Sequence, residues 1–338
     1  MRTYQYLARY REAGIEVNCH ALLDDCYVRA LYKGKRAWAA VIRGYWGRLQ
    51  TLLVTKAYDV VYVEKELLPW LPTSIELALL NRCSRLVVDY DDAVFHRYDQ
   101  HPSTAVRALL GRKLDRVMER ADLVTAGNDY LAERARSAGS KWVERVPTVV
   151  DLDRYPVVDR MTGSGDEVVI GWIGSPSTAE YLHRVSEALQ SLTKRYRIRC
   201  IAIGARPDQI AGTPFETVVW HEDTEVASLY GIDIGIMPLP DAPWERGKCG
   251  CKLIQYMACE LPVVASPVGV NSDIVRHGET GFLAEGAADW IVRLEQLILD
   301  EGLRARMGAA GRRRVENEFS LQIQGPRLTG FLKQLGTR

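Results

Sequence analysis

Strand-length runs of valine and isoleucine alternate with helix-length amphipathic segments along most of this chain, and that alternation leaves few folds open. The runs are Asp59-Val-Val-Tyr-Val63, Arg85-Leu-Val-Val-Asp-Tyr90, Asp122-Leu-Val-Thr125, Glu167-Val-Val-Ile-Gly-Trp-Ile-Gly174, Cys200-Ile-Ala-Ile-Gly204, Asp233-Ile-Gly-Ile-Met237 and Leu261-Pro-Val-Val-Ala265. Continuous apolar runs of this length suit strands buried on both faces. Between them, Ser103 to Arg120, Thr178 to Arg195 and Ala287 to Asp300 repeat apolar residues at three-and-four spacing, as helices do. Alternating strands and helices predict an α/β fold with parallel sheets covered on both sides.

A chain of 338 residues is long enough for two such domains. Periodicity stops and turn formers collect at Val146-Pro-Thr-Val-Val-Asp-Leu-Asp-Arg-Tyr-Pro156 and at Thr162-Gly-Ser-Gly165, which sets the expected boundary near residue 150. The first domain is expected over 1–150 and the second from 151. Ligands of open α/β sheets sit beyond the carboxyl ends of the strands, here the cleft between the domains.

Forty-four basic and 43 acidic side chains give a net charge of +1, which argues against a general nucleic-acid binder. No apolar run reaches the roughly 20 residues needed to span a bilayer. Met1-Arg-Thr-Tyr-Gln-Tyr-Leu lacks the pattern of a secretory signal, so a cytoplasmic location is expected. The seven cysteines, Cys19, Cys26, Cys83, Cys200, Cys249, Cys251 and Cys259, are odd in number and scattered, so reduced thiols are expected. Cys249 and Cys251 have no further Cys or His at zinc-site spacing, and no metal site is expected there.

Two loops could carry chemistry in the second half. Gly174-Ser175-Pro-Ser-Thr178 follows an apolar strand and opens a helix, a place where backbone amides can meet a phosphate. Ser177 and Glu180 also fit a capping box, so a well-capped helix explains the same residues. The second loop is Asp241-Ala-Pro-Trp-Glu245-Arg-Gly-Lys248-Cys249-Gly250-Cys251-Lys252-Leu-Ile-Gln255, where Lys248, Lys252, Gln255 and Cys259 fall at helical spacing. Two lysines at a helix start oppose the positive end of the helix dipole unless an anion sits there, and a diphosphate resolves the conflict. Two solvated lysines on a surface turn are the competing reading.

In the first half, Asp89-Tyr-Asp91-Asp92 ends a strand, and its carboxylates could hold a metal, act as acid and base, or simply begin a turn. His96 and His101 lie just downstream. Lys33-Gly-Lys-Arg-Ala-Trp38 leads into Arg43, Tyr45, Trp46 and Arg48, basic and aromatic residues interleaved. Such a segment could lie on an anionic membrane surface, and an ordinary amphipathic helix with snorkelling basic side chains explains the same residues. Arg107, Arg112, Arg116 and Arg120 make a second basic stripe, diluted by Lys113, Asp115 and Glu119.

Five motifs in order resemble one family. Residues Lys248 to Gly269, beginning Lys-Cys-Gly-Cys-Lys-Leu-Ile-Gln, resemble the donor-site helix and following strand of family 4 glycosyltransferases, in a branch whose helix starts with Lys-Cys-Gly. Ile274-Val-Arg-His-Gly-Glu-Thr-Gly-Phe-Leu283, Gly311-Arg-Arg-Arg-Val-Glu-Asn-Glu-Phe-Ser320, Val146 to Tyr155 and Asp89-Tyr-Asp-Asp-Ala93 are similar to that family too. The resemblance implies the GT-B arrangement of two Rossmann-like domains, with the nucleotide-sugar donor held mainly by the second (151–318) and the acceptor mainly by the first. A final segment, 319–338, would form a helix returning to the first domain. It also implies retention of anomeric configuration without an essential metal or other cofactor.

Three departures narrow what carries over. Many members have two glutamates at positions occupied here by Gly247 and Gln255. Gln255 keeps the capacity to bond ribose hydroxyls, while Glu245 or the amides of Cys249, Gly250 and Cys251 would serve the sugar in place of Gly247. The Arg and Lys that clamp the diphosphate after the first strand of the second domain are replaced by Gly174 and Ser175 with their neighbours, which leaves Lys248 and Lys252 as the clamp. The chain also starts at the helix Tyr4 to Val17, so the family's first strand and its loop are expected to be absent from the first sheet.

The resemblance thus implies transfer of a hexose from a UDP- or GDP-sugar to a hydroxyl acceptor: a sugar, a lipid-linked sugar or a small molecule. Lys248 and Lys252 would neutralise the leaving diphosphate, and Asp91 or Asp92 would orient the acceptor or the sugar. The alternatives are a sugar-nucleotide 2-epimerase of the same fold and a binding or scaffolding subunit without catalysis.

Overall fold

The computed structural model describes residues 2–24, 27, 30, 37–158 and 167–337. Thr162 to Gly165, Cys26, and Lys33, Lys35 and Arg36 of the basic segment lie outside the described residues. The chain divides into two compact units, Met1–Val146 with Gly325–Arg338, and Pro147–Gln324.

The first unit is built on four parallel strands in chain order, β1 (Val61–Glu64), β2 (Leu86–Tyr90), β3 (Leu123–Ala126) and β4 (Val143–Arg145). The inner strands β2 and β3 are buried at every position, which is why their sequences are apolar throughout. Asp89 is the charged exception, and its burial requires partners. Arg2 grips its carboxylate with two N–H groups at 2.7 and 3.1 Å, and the Thr125 hydroxyl adds a third donor at 2.5 Å. Burial raises the Asp89 pKa, and the Arg2 charge works against that rise. Asp89 is therefore a structural anchor for the segment that carries Arg2.

Helices α1 (Leu7–Glu12), α2 (Trp38–Leu53), α3 (Thr73–Leu80), α4 (Lys113–Arg120) and α5 (Asp129–Ser137) belong to this unit. The expected single helix from Ser103 to Arg120 is broken into Thr104–Leu110 and α4. The break turns Lys113 inward, where its ammonium meets Glu76 at 3.0 Å and the Leu68 carbonyl with no solvent exposure. Asn128 caps α5 by accepting from the Leu131 N–H, satisfying one of the amides every helix start leaves over.

The second unit has six parallel strands, β5 (Val168–Ile173), β6 (Ile198–Ile203), β7 (Phe215–Val218), β8 (Ile234–Met237), β9 (Val263–Ala265) and β10 (Gly281–Leu283), in the spatial order β10-β9-β8-β5-β6-β7. Its longer helices are α6 (His183–Thr193), α7 (Cys251–Ala258), α8 (Gly286–Leu299) and α9 (Glu301–Glu318). Alternate strand residues feed two cores. Ile173, Ile203 and Met237 pack with Leu253, Met257 and Val315 of α7 and α9, while Ile170, Trp172 and Ile236 pack with Val185, Leu189 and Leu294 of α6 and α8. Each fully buried aliphatic side chain contributes about 1.5–3 kcal/mol, so the two layers hold the sheet from both sides. The last helix, α10 (Leu321–Gly336), begins among residues of this unit and ends among those of the first. No helix of the described residues is long and apolar enough to cross a membrane.

Candidate functional site

The chain enters the second sheet at β5, builds outward through β6 and β7, then returns to β8 on the other side of β5. The order reverses between β5 and β8, so the loops leaving their carboxyl ends diverge and open a crevice, the usual ligand position in such a sheet. Gly174 and Ser175 leave β5, and the segment from Asp241 to Gly250 follows β8 into α7. Both loops singled out in the sequence therefore border one crevice.

Lys252 enters this crevice from the first turn of α7. Its stem lies against Gly174, where an added Cβ would sit 2.7 Å from the lysine Cε and 2.4 Å from the Trp172 ring. Its ammonium stands 5.3 Å from the centre of the Trp172 ring, a cation–π contact that steadies the charge without neutralising it. Gly204, at the end of β6, has φ +87°, and a Cβ there would sit 2.3 Å from the Gly174 carbonyl oxygen. The backbone at the strand ends is thus packed against itself and against Lys252, and only glycine fits at both positions.

Helix α7 starts at Gly250, which adopts φ +66° and packs so closely on Ile274 that a Cβ would lie 2.2 Å from its Cδ1. That kink ends the helix on its N-terminal side. Lys248 consequently lies on the approach to α7 and does not share its face with Lys252 and Gln255, contrary to the helical spacing expected from the sequence. The first turn of α7 has no acidic residue, and its N-cap Gly250 has no side chain to cap it. Cys249 is buried beside the Gly247 carbonyl, while Cys251 is exposed.

Other expected residues are already engaged. Glu245 is buried, 7% exposed, and accepts the hydroxyl of Tyr181, so it ties the loop after β8 to the segment after β5. Gln255 donates to Glu225 at 2.8 Å and to the Tyr155 hydroxyl at 3.1 Å, and Glu225 in turn accepts the Trp220 indole N–H. Burial pushes the Tyr155 phenol well above its ordinary pKa, which keeps it a neutral partner. The capping box expected at Ser177 and Glu180 does not form. A 3₁₀ segment, Pro176–Leu182, starts there, and the Ser177 hydroxyl pairs with that of Ser175 at 2.8 Å. A 3₁₀ start displaces the amide that the cap would have served.

In the first unit, Asp91 and Asp92 follow β2 and face Lys65, which follows β1, at 3.0 and 3.7 Å. Lys65 adopts φ +64°, an uncommon conformation for a side-chain-bearing residue. His96 is enclosed between Asp99 at 2.8 Å and the Tyr130 hydroxyl at 2.7 Å, and His101 Nδ1 accepts the Ser103 backbone N–H at 3.1 Å while its ring meets Trp70 edge to face. Among the described residues no group of three or more His, Cys, Asp or Glu is arranged to hold a metal ion. The sequence reading missed Tyr181, Glu225 and Lys65, whose roles arise from contacts between segments distant in sequence.

Residues 167–300 match the family described as Glycosyl transferases group 1. The chain is 40% identical over 250 residues to a GDP-mannose-dependent monoacylated alpha-(1-6)-phosphatidylinositol monomannoside mannosyltransferase of Corynebacterium glutamicum, covering 66% of this chain and 65% of that protein. It is 28% identical over 171 residues to the capsular polysaccharide biosynthesis glycosyltransferase CapM of Staphylococcus aureus, covering 47% and 44%. The chain thus spans less than two thirds of the length of each of these curated relatives. Among solved structures, HepE of Anabaena in complex with UDP-glucose superposes with a TM-score of 0.68 at 17% identity, over 85% of this chain and 82% of that one. A sucrose-phosphate synthase of Thermosynechococcus elongatus gives 0.69 at 16% identity, over 88% and 78%. Residues 167–300 thus carry the likeness to group 1 glycosyltransferases, and both units have the parallel-sheet α/β fold seen in the GT-B structures.

Proposed function

We propose that the protein is a glycosyltransferase that moves a hexose from a UDP- or GDP-sugar to a hydroxyl acceptor with retention of configuration. The observation that carries this reading is Lys252, held against Gly174 and Trp172 at the switch point between β5 and β8. Negative charge grows on the diphosphate as the glycosidic bond breaks. An ammonium fixed beforehand at a helix start stabilises that charge more in the transition state than in the ground state. Lys248 adds a second positive charge on the approach to the same helix. The sugar nucleotides in the relatives' names, UDP-glucose for HepE and GDP-mannose for the corynebacterial enzyme, support a nucleoside diphosphate sugar here.

Gln255, one turn further along α7, lies beside Glu225 at the start of Glu225–Tyr230, and the two can bond ribose hydroxyls as donor and acceptor. With the acceptor attacking from the leaving-group face, no protein nucleophile is required. Asp91 and Asp92, set by Lys65 at the carboxyl end of the first sheet, are the groups that orient the acceptor or the sugar in this reading.

The test is calorimetric titration of the chain with UDP, GDP, ADP and dTDP, beside Lys252→Ala and Lys248→Ala. Selective binding of one base, weakened at least about tenfold by Lys252→Ala, is the expected result, since a charge-assisted contact is worth about 1.5–3 kcal/mol. Binding unchanged in Lys252→Ala would overturn the clamp.

A further inference from the structure

We propose that the exposed face of α2 docks the protein onto an anionic lipid surface. Trp38, Ile42, Trp46 and Leu53 are 63, 69, 64 and 56% exposed. At about 100° per residue they fall within roughly a quarter turn of one another, so they form a single outward stripe along the helix. The stripe is not needed to hold α2 in place. Ala40 is buried on the opposite side and Leu52 along one flank, and Gly44, also opposite, approaches so closely that a Cβ there would lie 2.1 Å from the Leu22 carbonyl oxygen. The Tyr45 hydroxyl donates to the Pro69 carbonyl at 2.6 Å and Arg48 to the His20 carbonyl at 2.9 Å, so the polar groups also bind the helix from the flanks.

Charge identifies the occupant. The sequence from Lys33 to Lys56 carries Lys33, Lys35, Arg36, Arg43, Arg48 and Lys56, and not one Asp or Glu. Arg43 is exposed beside the stripe. A segment with this bias in a chain of net charge +1 is complementary to an anionic surface, and a second copy of the same face would bring like charges together. Two tryptophans with aliphatic neighbours suit the headgroup boundary, where an indole has its apolar face in the acyl region and its N–H among polar groups. No helix of the described residues can span a bilayer, so the contact is a peripheral one. The proposal is independent of the donor site in the second unit.

The experiment is flotation of the whole chain with vesicles of phosphatidylglycerol and phosphatidylcholine against vesicles of phosphatidylcholine alone, at low and high salt. The expected result is binding to the anionic vesicles only, weakened by salt, and reduced at least about tenfold by Trp38→Ser with Trp46→Ser and by Arg43→Glu. Leu299→Ser, which removes an exposed apolar side chain in the other unit, is expected to float as the wild type does. Thermal melts and UDP or GDP titration accompany each variant, and unchanged values show that the loss is at the surface. The proposal is overturned if the wild-type chain does not float with anionic vesicles. It is equally overturned if the tryptophan variant floats normally, or if light scattering shows that α2 joins two copies and anionic lipid does not separate them.

Discussion

The hydroxyl of Tyr256 accepts the backbone N–H of Ile173 at 2.9 Å, fastening α7 to the last residue of β5. The same hydroxyl donates to the Ile236 carbonyl in β8 at 3.3 Å. One phenol thereby joins the helix that carries Lys252 to both strands that open the crevice. Gly235 makes room for it, since a Cβ there would lie 2.4 Å from the ring. Burial drives the Tyr256 pKa far up, so the hydroxyl keeps its proton and can both donate and accept.

Tyr256→Phe leaves a buried N–H and a buried C=O without that partner, which should lower stability by about 1–3 kcal/mol in urea unfolding. Because the ring still fills its place, donor affinity should change less than in Lys252→Ala. Wild-type stability in Tyr256→Phe would refute the clamp.

Gly174→Ala pushes a methyl against Trp172 and Lys252. The indole is fixed and the lysine tail can yield, so the ammonium should leave its position and diphosphate affinity should fall about tenfold, or about 1.4 kcal/mol. A double-mutant cycle with Lys252→Ala gives the decisive reading. The two affinity losses should fall well short of additive, and full additivity would show that Gly174 does not act through Lys252.

Lys113 and Glu76 form an ion pair with no exposure on either side, backed by the Leu68 carbonyl. Burial raises the Glu76 pKa and the Lys113 charge opposes that rise. Lys113→Ala strands the carboxylate, and the first unit should lose about 3–5 kcal/mol. Hydrogen exchange should place the loss in residues before Val146 and after Gly325, with the second unit unaffected. Lys113→Met combined with Glu76→Leu should recover much of it.

The pair between Lys65 and Asp91 gives a pH signature. Burial alone would lower the Lys65 pKa, but the Asp91 and Asp92 carboxylates more than offset this and hold it above its ordinary 10.5. A lysine whose folded pKa is raised contributes stability that is complete below its unfolded pKa and disappears as pH climbs through the folded value. The stability difference between wild type and Asp91→Asn should therefore be flat from neutral pH to about pH 9 and shrink only at higher pH. A difference that widened in alkali would contradict this assignment.

The sequence by itself determined the α/β class and the inner strands. β2, β3, β5, β6, β8 and β9 all lie within the apolar runs or overlap them by most of their length, because a strand covered on both faces must be apolar at nearly every position. The unrecognised strands, β4, β7 and β10, are edge strands with a single neighbour. Val143-Glu-Arg145 and Phe215-Glu-Thr-Val218 keep polar residues that an edge can turn to water, so no run betrays them. The two lysines beside Gly250 were legible as well, because charge near a helix start conflicts with the dipole whatever the fold.

Tertiary structure alone decided what those residues touch. It placed Lys248 outside α7, engaged Glu245 with Tyr181 across 64 residues, and joined Gln255 to Tyr155 across 100. It also made Asp89 an anchor for Arg2 and enclosed His96 between Asp99 and Tyr130. Local sequence carries helix and strand periodicity because these depend on neighbours a few residues away. Hydrogen-bond partners across a parallel sheet depend on strand order and on which residues the crossovers bring to one edge, and no short window of sequence contains that information.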